Sequence, residues 1–426
     1  MANDFDSNIT RQLIRVFLEK FESMRVLSKN VDTQLLAGKF NPSTGDTVDF
    51  KRPTDYTTFR NPTGDLTAHT PDDIITGKAS GIVQDYFTVL VNYDEADEAI
   101  KMDQLDELLA PMATRVVTDL ELDFADFMMI NSGLLAGDYG TAADAWADIA
   151  DAGAVMKANG VPADEEWFYT VNPFTQAALS EIQRSLGSGG TSGELVSQAH
   201  KNATLSDNFG GLKVMTATTL ASYTSATTGD LVGAMNGAPD VTYATAKDTM
   251  TQVLAVDSFG SFAGSIPAGT VIEITGVNRL NQSTRQPIID GAGANVVWTA
   301  VVVVDSANFS SGAGSLTVSG PGIFEAAGAH NSTDVAIGAA NVVTILSADN
   351  TLFQPNLFWH KQAFSIGSVP IKRLHSTDTF GETEDGLQFR VSKGSNFTTN
   401  VQQVRIDFRP AYAVLNPFFS GQGWGT

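Results

Sequence analysis

The stretch Asn356–Lys372, NLFWHKQAFSIGSVPIK, sets Trp359, His360 and Lys361 side by side among apolar residues, shortly before a serine. It reads either as a catalytic patch or as a strand whose unusual side chains serve packing and contact. Phe358, His360, Gln362 and Phe364 alternate with Leu357, Trp359, Lys361 and Ala363. That is the period of a strand with one half-buried face. A histidine on such a strand packs or hydrogen-bonds more often than it acts as a base. No acid or nucleophile is signalled near it, so the local chemistry favours a structural protein.

The rest of the chain supplies little catalytic vocabulary. The histidines are His69, His200, His330, His360 and His375, and none lies three or four residues from another, as zinc-binding helices require. Asp94, Glu95, Asp97 and Glu98 form an acidic run that reads as a solvated turn. The glycine-rich LGSGGTSGE, residues 186–194, lacks the Gly-Lys-Ser/Thr ending of a phosphate loop and reads as a flexible connection. No G-x-S-x-G elbow occurs. Basic patches interleaved with aromatics, as single-stranded nucleic acid needs, are missing too.

Composition points the same way. With 426 residues the chain is long enough for two or three domains. Only 17% of it is charged, below the ~25% of an average domain, so much of the surface is small and neutral and suits extensive contact. A net charge of −22 repels phosphates and argues against duplex binding, though an acidic wall can enclose DNA without adhering to it. The absence of cysteine excludes disulfides, thiolate metal sites and cysteine nucleophiles, and it fits a reducing compartment. No signal peptide or membrane-length apolar run is visible.

Residues 8–27 predict an amphipathic helix with Leu13, Phe17, Phe21 and Met24 on one face, packed on its own domain or docked on a neighbour. GDTVDFKRP and GIVQDYFTVLVNY predict two strands around a polar, turn-rich tip, a long hairpin with too little apolar content to stand alone. From Met102 to Ile130, Leu105, Leu109, Met112, Val116, Leu120, Phe124 and Phe127 follow one helical face. Pro111 marks a kink or the first turn of a second helix. Residues 142–220 alternate helix and strand. Residues 223–345 carry many short β segments with Gly and Asn turns, an inserted all-β module read as a small barrel. LFWHKQAFSI, LQFRVSKGS and VQQVRIDFRPAYAVLN predict further strands, with the polar STDTFGETEDG ahead of the second.

Three readings remain on these grounds: a shell subunit, another self-assembling β-rich surface or tail protein, and a hydrolase with a site assembled in space. The second leaves the long helix without a reason, and the third lacks a motif. The order of segments adds a resemblance. LAPMATRVVTDLELDFADFMM, WFYTVNPFTQAAL, LSDNFGGLKVMTATTL, IPAGTVIEITGVNRLNQSTRQPI, VWTAVVVV, SLTVSGPGI and NLFWHKQAFSIGSVPI resemble, in that order, the major capsid (coat) proteins of tailed bacteriophages of the P-twenty-two type.

The resemblance implies an α+β, HK-ninety-seven-like fold with an inserted β-barrel and no enzyme activity or cofactor. It implies an N-terminal arm (1–44), an extended loop (45–93), a peripheral domain (94–141) with a spine helix over 102–131, and an axial domain (142–222). The barrel (223–345), the axial return (346–375) and peripheral C-terminal strands (376–426) follow. Expected partners are copies of the chain in hexamers and pentamers, a scaffolding protein, a portal and, where one exists, a decoration protein. DNA would be enclosed without sequence-specific binding, and no membrane would be involved. The expected location is the virion, after assembly in the host bacterial cytoplasm. Glu19 and Glu22 match the family's acidic scaffold contact, although Arg11, Arg15 and Lys20 mix the charge there. Lys247 and Asp248 stand where the family carries a charged loop that reaches between capsomers.

Overall fold

The computed structural model describes residues 6–37, 47–52, 55–94, 105–186, 199, 201–203, 205, 208–226, 231–239, 241–326, 328–339, 341–348, 350–373, 378–396 and 401–426. Most of the acidic run 94–98, the glycine-rich stretch after Leu186, His200 and His375 lie outside the described residues. The chain forms two units. The first comprises Met1–Phe50, Ser80–Ala125 and Phe364–Ala413; the second comprises Lys51–Ala79, Asp126–Ala363 and Val414–Thr426.

In the first unit, helix α1 (Asp6–Met24) lies on a four-stranded antiparallel sheet. The sheet runs β18 (Thr379–Glu382), β19 (Gln388–Asn396), β20 (Val401–Phe408) and β3 (Phe87–Asp94). Phe17 and Phe21 are buried there, with ring centroids 5.2 and 4.6 Å from that of Phe389. Ile14 completes the stripe, and Met24, expected on it, is exposed. The side chains of Leu13 and Arg11 lie outside the described residues. The polar stretch ahead of Gln388 holds a strand rather than a plain turn, since β18 pairs Phe380 with Arg390.

Two stretches expected as single strands are each broken. GIVQDYFTVLVNY divides into β2 (Lys78–Val83) and β3, and VQQVRIDFRPAYAVLN divides into β20 and β21 (Pro410–Val414). Proline has no N–H to give to a ladder, so pairing stops and restarts at Pro410. The partner ribbon breaks at the same level, where Gln84 N donates to Pro410 O at 2.9 Å. Each ribbon thereby passes from the first sheet into a second, ordered β1 (Thr47–Lys51), β2, β21 and β17 (Phe364–Ser368).

Helix α2 (Leu105–Ile130) runs 26 residues, about 39 Å at 1.5 Å per residue. Met112, Val116, Leu120 and Phe124 are buried as the periodicity predicts, together with Ala113, Val117 and Ala125. Pro111 sits inside the helix without ending it, so no second helix starts there.

The second unit holds a mixed six-stranded sheet in the order β4 (Leu134–Ala136), β22 (Ser420–Gly423), β16 (Asn356–His360), β5 (Trp167–Val171), β7 (Leu212–Thr216) and β6 (Asn208–Phe209). Helix α3 (Trp146–Ala158) places Ile149, Ala152 and Met156 in its core, and α4 (Pro173–Leu186) places Leu179 there. The final strand β22 pairs with β16 and β4 in this sheet. The end of the chain therefore separates from the strands at 376–414, with which the sequence reading grouped it. Gly421 and Gly423 lack the side chains that would collide with Phe358 and Tyr169, so the strand fits between them.

The opening stretch also differs from its reading. It is not one half-buried strand: a single 3-10 turn at Lys361–Ala363 divides β16 from β17, and both pieces are buried on both faces. The chain leaves the second unit and enters the first at this turn.

The inserted β text closes into a six-stranded antiparallel barrel: β10 (Thr251–Asp257), β13 (Gly314–Ser319), β12 (Val297–Val302), β11 (Val271–Asn278), β14 (Val342–Leu346) and β9 (Val232–Met235). Leu254, Ile272, Ile274, Trp298, Leu316 and Val343 fill it. A short ribbon, β8 (Tyr223–Thr224) paired with β15 (Leu352–Phe353), joins the entering and leaving chain.

Candidate functional site

His360 ends β16, an interior strand of the six-stranded sheet, and is fully buried. Its Nδ1 accepts from Gln362 N at 3.2 Å, and its Nε2 lies 3.6 Å from the exposed Asp164 carboxylate. Desolvation lowers its pKa, so the ring is neutral at pH 7 and serves packing. Trp359 stacks on Phe168 at 5.6 Å. His69 lies against Phe59 and His330 against Tyr243, ring to ring. Among the described residues no group of three His, Asp or Glu is arranged to hold a metal ion. No helix there is long and apolar enough to cross a membrane.

A cleft of about 220 Å³ lies at the edge of the six-stranded sheet, lined by Lys157, Glu165, Glu166, Trp167, Asn208 and Lys213 among others. It is smaller than the ~300 Å³ at which small-molecule sites begin. Its cations are already engaged: Lys213 pairs with Glu166 at 3.0 Å, and Lys157 lies over the Trp167 ring. Several surfaces expose large apolar side chains suited to contact.

The most exposed of these is the segment between β1 and β2. Nearly every described residue from Asp55 to Ile74 faces solvent, including Tyr56, Leu66 and Ile74. Its two feet are fixed to the barrel module within the second unit. Asp55 pairs with Arg285 at 2.7 Å, Asp248 accepts from Lys78 N at 3.1 Å, and Ile75 packs on Tyr243, Ala246 and Ile323. The sequence carried no sign of this anchoring, since Asp55 and Arg285 are 230 positions apart.

Lys247 and Asp248 belong to that foot. They pair with each other at 2.8 Å, and both side chains stay partly exposed. Glu19 is exposed on α1, as are Arg15 and Lys20. Glu22 is half-buried and accepts from Glu384 N at 2.7 Å, so the two glutamates are not equivalent. Sequence reading missed Glu121, which is buried on α2 and receives the backbone just after α1. A glutamate at a buried helix position was the one available signal.

The comparisons agree with a contact protein. The family model described as P22 coat protein, gene protein 5, matches residues 1–425. The chain is 35% identical over 430 residues to the major capsid protein of Acyrthosiphon pisum secondary endosymbiont phage 1, with all of both chains covered. Solved structures with some similarity include a chain from Mycobacterium phage Che8, at 12% identity and TM-score 0.45, covering 93% of this chain and 89% of that one. Another is the capsid of Ralstonia phage GP4, at 10% identity and TM-score 0.39, covering 95% and 91%. The family match spans the helix-and-sheet units and the barrel alike; the chain has an α+β fold and belongs to the P22 coat protein family of phage capsid subunits.

Proposed function

We propose that the chain assembles with copies of itself into hexamers and pentamers of an icosahedral shell around double-stranded DNA. A scaffolding protein and a portal would act during assembly in the host cytoplasm. In this reading residues 1–44 are the arm, 45–93 the extended loop, 94–141 the peripheral domain with its spine helix, and 142–222 with 346–375 the axial domain. The observation that carries it is the family match over residues 1–425. The exposed segment 55–74 supports it: apolar side chains held in solvent on anchored feet lack only a neighbour's surface.

Interfaces built by such arms and loops should be of the obligate type, burying ~2,000 Å² or more. Co-expressed with its scaffolding partner, the chain should sediment as closed particles visible by electron microscopy. A soluble monomer that forms no particles under those conditions would overturn the proposal.

Glu19 is the better scaffold candidate, because Glu22 is engaged with Glu384 N. Glu19→Lys should reduce the scaffold content of particles while costing the folded chain no more than ~0.5 kcal/mol, as surface changes do. Wild-type binding should weaken as salt shortens the Debye length below ~10 Å, its value at 0.1 M. Unchanged scaffold content in the variant would shift attention to Arg15 and Lys20 and an acidic partner. For Lys247 and Asp248, their mutual pairing favours a neutral contact between capsomers over a charged one.

A further inference from the structure

Strand β11 ends at Asn278, and the next four residues, Arg279-Leu280-Asn281-Gln282, leave the barrel surface. They meet the carboxyl end of α3 and the turn that follows α2, neither of which is part of the barrel. Arg279 is only 4% exposed. Its Nη2 donates to Gly133 O at 3.0 Å, three residues past the end of α2, while bonds to Thr299 O at 2.6 Å and Thr299 Oγ1 at 2.9 Å tie it to β12. Asn281 Nδ2 donates to Ala158 O at 2.8 Å, the last residue of α3, and Gln282 N donates to Asn159 O at 2.9 Å.

The last carbonyls of a helix have no intrahelical donor, and they carry the negative end of its dipole. Here one barrel segment supplies donors to the terminal carbonyls of α3, and its Arg279 cation holds the turn that follows α2. Neighbouring contacts reinforce the seam. Ser319 Oγ donates to Asn131 O at 3.1 Å, and Gln422 Nε2 donates to Gly269 O at 2.8 Å. Gly160 takes φ +82° at the end of α3, and a Cβ there would stand 2.8 Å from Asn281 Oδ1.

Arg279 is not explained by packing. Burial lowers its pKa to about 10, which leaves it charged at pH 7. No carboxylate pairs with it among the described residues, and its Nη1 is buried without a partner. Placing an arginine this way costs free energy that a hydrocarbon side chain would not. A role in fixing position accounts for it.

We propose that Arg279–Gln282 is a clip that sets the orientation of the barrel on the turn after α2 and the end of α3, with Arg279 as the positioning residue. The barrel, that turn and the end of α3 then move as one body; that this matters for curvature during assembly rests on the shell reading above.

The test uses the full chain with Arg279→Met, Asn281→Ala and Arg279→Lys. In the unassembled protein, amides of residues 131–135 and 158–161 should exchange with solvent roughly tenfold faster in the first two variants, as loss of a charged or buried hydrogen bond implies. Amides of the barrel core at Ile272, Trp298 and Leu316 should keep wild-type protection. Arg279→Lys, which keeps the charge but not the fork, should fall between. Co-assembled with scaffold, Arg279→Met should shift the products from closed shells towards open or irregular ones. Unchanged exchange at both places overturns the clip. So does equal acceleration in the barrel core, which would make Arg279 a residue of barrel stability. Asn281→Ala keeps the test decisive if Arg279→Met fails to fold. If the wild type forms no shells, the capsid reading fails while the exchange data still decide the clip.

Discussion

Glu121→Ala should destabilise the first unit by about 3–5 kcal/mol and release the segment that follows α1. Glu121 is 2% exposed on α2. Its carboxylate accepts from Leu27 N at 2.6 Å, Ser28 N at 3.1 Å, Val26 N at 3.3 Å and the Ser28 hydroxyl. Arg25 braces the same turn, reaching Ser28 O at 2.7 Å and Asp385 at 2.8 Å. Removing the acceptor leaves several buried donors unpaired, at ~1–3 kcal/mol each with incomplete additivity. Urea unfolding followed by circular dichroism should show the loss, and limited proteolysis should cut first near residues 24–30. Glu121→Gln, which keeps one acceptor oxygen, should recover part of it. A wild-type unfolding midpoint in Glu121→Ala would show that water or a shifted backbone replaces the carboxylate.

Arg390→Met should cost a comparable ~3–5 kcal/mol, the usual result of removing one partner from a buried ion pair. Asp407 is fully buried between the strands, next to both Nε and Nη2 of Arg390, with Arg405 Nε at 2.6 Å and Thr88 Oγ1 at 2.7 Å. Burial by itself would raise its pKa. The donors from Arg390, Arg405 and Thr88 outweigh that and hold it below the ordinary range. A depressed carboxylate contributes stability that is fully present above its unfolded pKa of ~3.9 and is lost as pH falls through the lower folded value. The wild type should therefore lose stability below about pH 4, and Arg390→Met should show a flatter acid limb from a lower plateau. The double variant Arg390→Met, Asp407→Leu should be milder than the single one, because no uncompensated buried charge remains. A double variant as unstable as the single would mean that packing, not charge, sets the cost.

Both sites show why some features could be read from the sequence and others could not. Helix α2 was legible because Met112, Val116, Leu120 and Phe124 repeat at helical spacing, and local periodicity records which face is buried. The barrel was legible as β text between α/β segments, since strand and turn residues declare themselves over a few positions. Glu121 was not. A charged residue on a helix reads as solvated, and here its partners lie 93–95 positions away.

The break at Gln84–Tyr86 was hidden for a related reason. The ribbon is a good strand on both sides of it, and only its partner, interrupted ahead of Pro410, fixes where pairing changes sheets. His360 and its neighbours alternate as a half-buried strand would, but β16 lies inside the sheet between β22 and β5 and every one of its residues is buried.

The α+β character, the long helix, the inserted β module and the lack of a catalytic motif are written in local pattern and composition, which record nearest-neighbour preferences. That the final strand returns to the six-stranded sheet, that Glu22 and Glu19 differ, and that Arg279 holds the turn after α2 emerge with the folded chain. Each of these depends on which distant backbone groups are brought out of water together, and burial of that kind is a property of the folded chain rather than of any stretch of it.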